Sequence, residues 1–157
     1  MFPTAHFFST IILYLIAGNI TSLPPYSLIL MLIVGIGLDG DILLKKEHRK
    51  APTHSIFSIF ISIPFLILGL KYFLLILITI LIHLFLDSLD WKLYPFYPFS
   101  KKPYGINLAQ KDSNLEPEQN SVKEFINHYF SNKKVITIEI VLITIGILSY
   151  VASLNWI

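Results

Sequence analysis

Apolar residues gather into five runs along the chain, roughly Ala5 to Ile20, Pro25 to Leu38, Ser55 to Leu70, Tyr72 to Leu89 and Val135 to Leu154. Runs of this length and composition predict helices buried in lipid. At 1.5 Å per residue the second spans only about 20 Å, against roughly 30 Å of hydrocarbon. It must therefore begin in the preceding "TSLPP" turn or end below the membrane surface inside a bundle. Pro64 predicts a kink in the third run, tolerable where neighbouring helices cover it. Little more than Lys71 separates the third from the fourth, so a tight antiparallel hairpin is expected there.

The polar connections add detail. After the fourth run comes "WKLYPFYPFS", whose aromatic rings suit a membrane interface. A polar, irregular stretch follows, and then "SVKEFINHYFSNKK". Ser121 and Glu124 fit a capping box there, while Val122, Phe125, Ile126 and Tyr129 share one helical face. A short amphipathic helix lying on the membrane or on the bundle is expected. The fold class is thus all-α, a polytopic membrane helical bundle of about five transmembrane helices plus that short helix. It forms a single membrane-embedded domain, with the bundle in residues 1–99, a cytoplasmic loop in 100–133 and the last span in 134–157.

Composition agrees with the pattern. The chain is 54% hydrophobic and only 14% charged, where soluble domains carry about 25% charged residues. A net charge of +2 gives no reason to expect a nucleic-acid partner. With no cysteine, disulfides and thiolate metal ligands are excluded, so any metal must be held by His, Asp or Glu. The first run lacks a basic leader and a small-residue cleavage site, so it reads as a retained helix. Every Lys and Arg except Lys71 falls between runs two and three or between runs four and five. The positive-inside rule puts those two connections and the N-terminus in the cytoplasm, in a multi-pass cell (inner) membrane protein.

Against this background the polar residues form a pattern. His6 opens the first run, and Asp39 and Asp41 follow the second in "GLDGD". His48 and Arg49 lie in the basic loop, His54 opens the third run, and His83, Asp87 and Asp90 close the fourth. All of these come out at the cytoplasmic ends. His83, Asp87 and Asp90 are spaced i, i+4 and i+7, within about 40° of azimuth on a helix, so they can face one centre. Gly40 permits a tight or an extended backbone, and an extended one would point Asp39 and Asp41 the same way. Thr53 is a plausible helix cap next to His54.

An isolated aspartate in a membrane helix costs roughly 2.5–3.5 kcal/mol, a penalty that a divalent cation reverses. Imidazole plus carboxylate suits Zn²⁺ first, with Mn²⁺ or Fe²⁺ as alternatives. His6, Asp39, Asp41, His48, His54, His83 and Asp87 are the candidate ligands, enough for one or two ions. Plainer readings stand beside this one. His83 can be a helix-end hydrogen-bonder, Asp90 a headgroup-level residue, His48 a solvated loop histidine, and Arg49 a lipid contact. Glu139, about one turn into the last run, can be a functional intramembrane carboxylate or can reach toward Lys133 or Lys134.

"HRKAPTHS", "IHLFLDSLDW" and the following "LYPF", with the Asp-x-Asp after run two and the early His, resemble the YdjM-like (DUF457) family over roughly residues 4 to 99. Members of that family are small inner-membrane proteins described as metal-dependent hydrolases. The resemblance implies site positions at His6, Asp39, Asp41, His48, Arg49, Thr53, His54, Ser55, His83 and Asp87. This chain departs from the family in the residues flanking its "DGD" and in the spacing from His48 to His54, and it carries Asp90 where many members have Thr. A looser analogy runs to zinc-dependent phospholipase C and P1-type nucleases, which order their ligands similarly on helical folds.

The expectation is a membrane-bound metal-dependent hydrolase of a small-molecule or lipid phosphoester, with membrane lipids as its surroundings. Asp39 or Asp90 would act as base and Arg49 would steady phosphate charge. The alternative is a non-catalytic binding or regulatory scaffold with a structural metal. A transporter ranks third, because its polar groups should lie near mid-membrane.

Overall fold

The computed structural model describes residues 3–40, 52–90, 92–106, 130 and 132–154. Most of those residues are helical, apart chiefly from 92–106, which carries one isolated antiparallel bridge between Leu93 and Tyr104. The helices are α1 (Pro3–Ile20), α2 (Pro25–Gly37), a short 3-10 turn η1 (Pro52–His54), a long 3-10 helix η2 (Ile56–Leu68), α3 (Leu70–Asp90) and α4 (Lys133–Leu154). Two of them, over Leu70–Leu89 and Lys133–Ser153, are long and apolar enough to cross a membrane. The rest are apolar but shorter.

The third run departs from its expected form. It winds as a 13-residue 3-10 helix and not as a kinked α-helix. At about 2.0 Å per residue this reaches about 26 Å, where an α-helix of the same length would reach about 20 Å. Pro64 has no N–H to give to an α ladder, and its ring would clash with the carbonyl four residues back. Ser55, Ser58 and Ser62 reinforce the tighter winding, since each hydroxyl donates to the carbonyl three residues earlier. Ser55, not Thr53, caps η2 by accepting from the backbone N–H of Phe57 at 3.3 Å. Gly69 then joins η2 to α3 at φ 114°, a conformation that side chains disfavour, and so closes the expected hairpin in one residue.

Helix α1 packs against α4, α2 and α3, while η2 lies on α3. Met31, Val34, Leu38, Leu75, Ile76 and Ile80 form one core cluster, and Ala5, Leu86 and Val135 a second. Gly35 lets three helices approach closely. A Cβ there would sit 2.8 Å from Thr10 Oγ1 and 3.2 Å from Thr79 Cγ2. Gly146 does the same for α4, where a Cβ would meet Phe8 Cδ1 at 2.6 Å.

The starts of α1, η2 and α4 and the ends of α2 and α3 share one end of the bundle. The Tyr26–Tyr72 hydroxyl pair, 2.7 Å apart, marks the other. At the first end the 92–106 segment folds back: Pro95 accepts from the Ile56 N–H, and Ser88 from that of Ile106. Outward faces carry exposed Ile, Leu, Val and Phe, among them Ile33, Phe60, Ile67, Phe85 and Leu148. Inside lie His6, Thr10, Ser27, His54, Ser58, Ser62, Thr79, His83, Asp87 and Glu139.

Candidate metal centre

Each donor reaches the shared end by a different route. His6 lies in the first turn of α1, and His54 ends η1, where Pro52 fixes the turn and Ser55 accepts a new helix start. His83 and Asp87 lie one turn apart on the inner face of α3, their Nε2 and Oδ2 3.5 Å apart. Asp39 follows α2 in a continuing 3-10 turn, the tight one of the two backbones that Gly40 permits. All five are buried, with His54 at 0% exposure and Asp39 the most exposed at 7%.

Their polar atoms converge. His6 Nε2 is 3.1 Å from Asp87 Oδ1 and 3.7 Å from Asp39 Oδ2. His54 Nε2 is 3.1 Å from Asp87 Oδ2, 3.3 Å from Asp39 Oδ1 and 3.3 Å from His83 Nε2. His83 Nε2 is 3.6 Å from Asp39 Oδ1. Ligand atoms of His6, Asp39, His83 and Asp87 all lie within 4.8 Å of one another, and His54 adjoins three of these four residues. With metal–nitrogen and metal–oxygen bonds of about 2.0–2.2 Å, tetrahedral ligands stand about 3.3–3.6 Å apart. The observed spacings match that edge, so the residues fit a divalent cation. Two carboxylates also supply the charge that a buried cation needs.

Surrounding groups aim the imidazoles. Nδ1 of His83 lies 2.8 Å from the Gly35 carbonyl. A carbonyl can only accept, so Nδ1 carries the hydrogen and the neutral ring turns its Nε2 lone pair toward the cluster. Gly35 lies in the last turn of α2, near the helix end. Nδ1 of His54 pairs with the Thr53 hydroxyl at 3.2 Å. Nδ1 of His6 is buried and has no hydrogen-bond partner among the described residues.

The structure therefore brings together His6, Asp39, His54, His83 and Asp87. Asp41, His48 and Arg49 lie outside the described residues, as do His128 and the residues of the expected amphipathic helix up to Tyr129. Asp90 ends α3 and its side chain is likewise not described. Glu139 is buried on α4 and accepts a 2.6 Å hydrogen bond from Thr4, two residues before His6. Sequence reasoning missed Gly35, whose "VGIG" setting reads as ordinary lipid-buried helix. Only the fold shows that its carbonyl orients a histidine.

In comparisons with known proteins, no family model matches the chain, and no curated protein or solved structure is similar to it.

Proposed function

We propose that the chain is a multi-pass membrane protein with a divalent-metal centre, Zn²⁺ first among the candidates, that hydrolyses phosphoesters, with lipid headgroups among its substrates. The observation that carries the reading is the convergence of three imidazoles and two carboxylates, all buried, from four separate parts of the chain. The apolar exterior around a polar interior, together with two helices of spanning length, supports a membrane setting. Lysine and arginine placement supports a cytoplasmic site. The hydrolase half rests on the resemblance to the YdjM-like family.

A divalent ion, when bound, supplies Lewis acidity and a water of lowered pKa. His54, His83, Asp39 and Asp87 would hold it, with His6 beside them. In hydrolysis the water oxygen bonds to phosphorus, the ester P–O bond breaks, a protein base takes the water proton and the leaving oxygen gains one. Asp39 lies within the donor set, which leaves Asp90 as the proposed base. Arg49 and the neighbouring lysines are the proposed phosphate contacts.

The test is a panel of phosphodiesters, phosphomonoesters and phospholipids, offered to metal-loaded protein in detergent and in vesicles. Hydrolysis that disappears in Asp87→Ala supports the reading. Metal-loaded, folded protein that cleaves none of them refutes it. A second reading draws on the donor count: His54, His83, Asp39 and Asp87 alone would complete a closed structural site. That protein would hold metal tightly and cleave nothing.

A further inference from the structure

We infer that the centre holds two divalent ions bridged by Asp39 and Asp87, one set by His54 and His83 and the other by His6. This rests on the metal-binding half of the proposed function and not on hydrolysis.

Both carboxylates divide their oxygens in the same way. Asp87 turns Oδ1 to His6 and Oδ2 to His54 and His83. Asp39 turns Oδ2 to His6 and Oδ1 to His54 and His83. A carboxylate serving one ion by one oxygen can give its second to a hydrogen bond, so the division of oxygens carries the assignment only together with the ring geometry. Two carboxylates splitting in register give two donor sets that share both side chains.

The first set is His54 Nε2, His83 Nε2, Asp39 Oδ1 and Asp87 Oδ2. Five of the separations within it run 3.1, 3.3, 3.3, 3.5 and 3.6 Å. They lie at or just below the tetrahedral edge of about 3.3–3.6 Å. The second set is His6 Nε2 with Asp39 Oδ2 and Asp87 Oδ1, at 3.7 and 3.1 Å. It has three protein donors and so keeps a position for water or substrate.

Ring geometry separates the sets independently. A ring centre lies about 3.2 Å from an ion bound by its nitrogen, so two imidazoles on one tetrahedral ion have centres about 5.2 Å apart. The His54 and His83 rings are 5.3 Å apart and tilted by 54°. The His6 and His83 rings stack at 4.0 Å, with planes 28° apart. That is too close for one tetrahedral ion, but it suits near-parallel rings that each reach one member of a pair about 3.5–4 Å apart. Such a pair can clamp both the attacking and the leaving oxygen of an in-line displacement, a geometry compatible with the phosphoester reading but not required by it.

The two positions are unequal. Gly35 and Thr53 brace His83 and His54 through Nδ1, while the Nδ1 of His6 has no such brace among the described residues. Loading should therefore be stepwise, the His54/His83 position first and the His6 position more weakly, by about 10- to 100-fold.

Mn²⁺ titration of the full chain in detergent, followed by electron paramagnetic resonance, tests this. The wild type should take up roughly two equivalents, and the separate-ion spectrum seen at the first should give way to an exchange-coupled one at the second. His6→Ala should stop at roughly one equivalent, never couple, and hold that ion within about 3-fold of the wild type. Saturation of the wild type at one ion, or two ions without coupling, overturns the inference whatever the variant does. Two ions in His6→Ala overturn it as well. Because the titration reads no activity, the two claims fail separately. Coupled ions in a protein that cleaves nothing would end the hydrolase reading alone, while cleavage with one ion would end this one.

Discussion

Gly35→Ala tests whether packing between helices sets the chemistry of the cluster. The new methyl carbon would sit 2.8 Å from Thr10 Oγ1 and 3.2 Å from Thr79 Cγ2. Neither threonine can turn away cheaply. Thr10 donates to the His6 carbonyl at 2.7 Å, and Thr79 to that of Leu75 at 2.8 Å. Overpacking of this kind costs about 1–3 kcal/mol. The gain in helix propensity offsets about 1 kcal/mol of that, so the net destabilisation is about 0–2 kcal/mol.

The larger effect should fall on metal binding. Pushing α2 away from α1 and α3 moves the Gly35 carbonyl off His83 Nδ1. Losing such a brace weakens metal affinity by about 10- to 100-fold. Competition with a calibrated chelator measures the affinity, and thermal unfolding in detergent measures the stability. Thr10→Ala removes the nearer obstructing atom, so the double variant should recover part of the affinity. Full affinity in Gly35→Ala, or a double variant weaker than the sum of its parts, would refute the link between close helix approach and histidine orientation.

At Gly146→Ala the methyl would meet Phe8 Cδ1 at 2.6 Å and Phe8 Cβ at 3.2 Å. It should cost about 0–2 kcal/mol net in thermal unfolding, after about 1 kcal/mol of helix propensity offsets the overpacking, with metal affinity unchanged; a gain in stability would mean that α1 and α4 are not packed at this point. Metal occupancy should fall on acidification, because imidazole binds metal only when deprotonated and protons compete for it. Occupancy by elemental analysis that stays flat down to about pH 4, below the ordinary imidazole range, would argue against histidine ligation. His54→Ala and Asp87→Ala should each cost the wild type bound metal, read by the same analysis, and full retention in both would remove the centre. Reporter fusions should place the N-terminus in the cytoplasm and the C-terminus outside, as five spans require; both ends on one side would contradict that count.

Hydrophobic patterning alone located five apolar helical runs, two of them of spanning length, because an apolar run must be buried in protein or lipid and a helix satisfies its own backbone. The same patterning drew attention to the polar residues at the run ends, since ionisable groups there stand out against so few charges. His83 and Asp87 could be paired from spacing, as i and i+4 share a helix face. Bringing His6, Asp39 and His54 to them needed the bundle, because these residues are far apart in the chain and only the up-and-down packing places their ends side by side. The winding of η2 was likewise hidden, since the serine-to-carbonyl bonds that favour it compete locally with an α ladder of similar propensity. Thr53 read as a cap from its type, yet the turn set by Pro52 handed that role to Ser55. The part played by Gly35 was least visible of all. It depends on a backbone carbonyl, which every residue has, and on how closely three helices meet, which no single segment encodes.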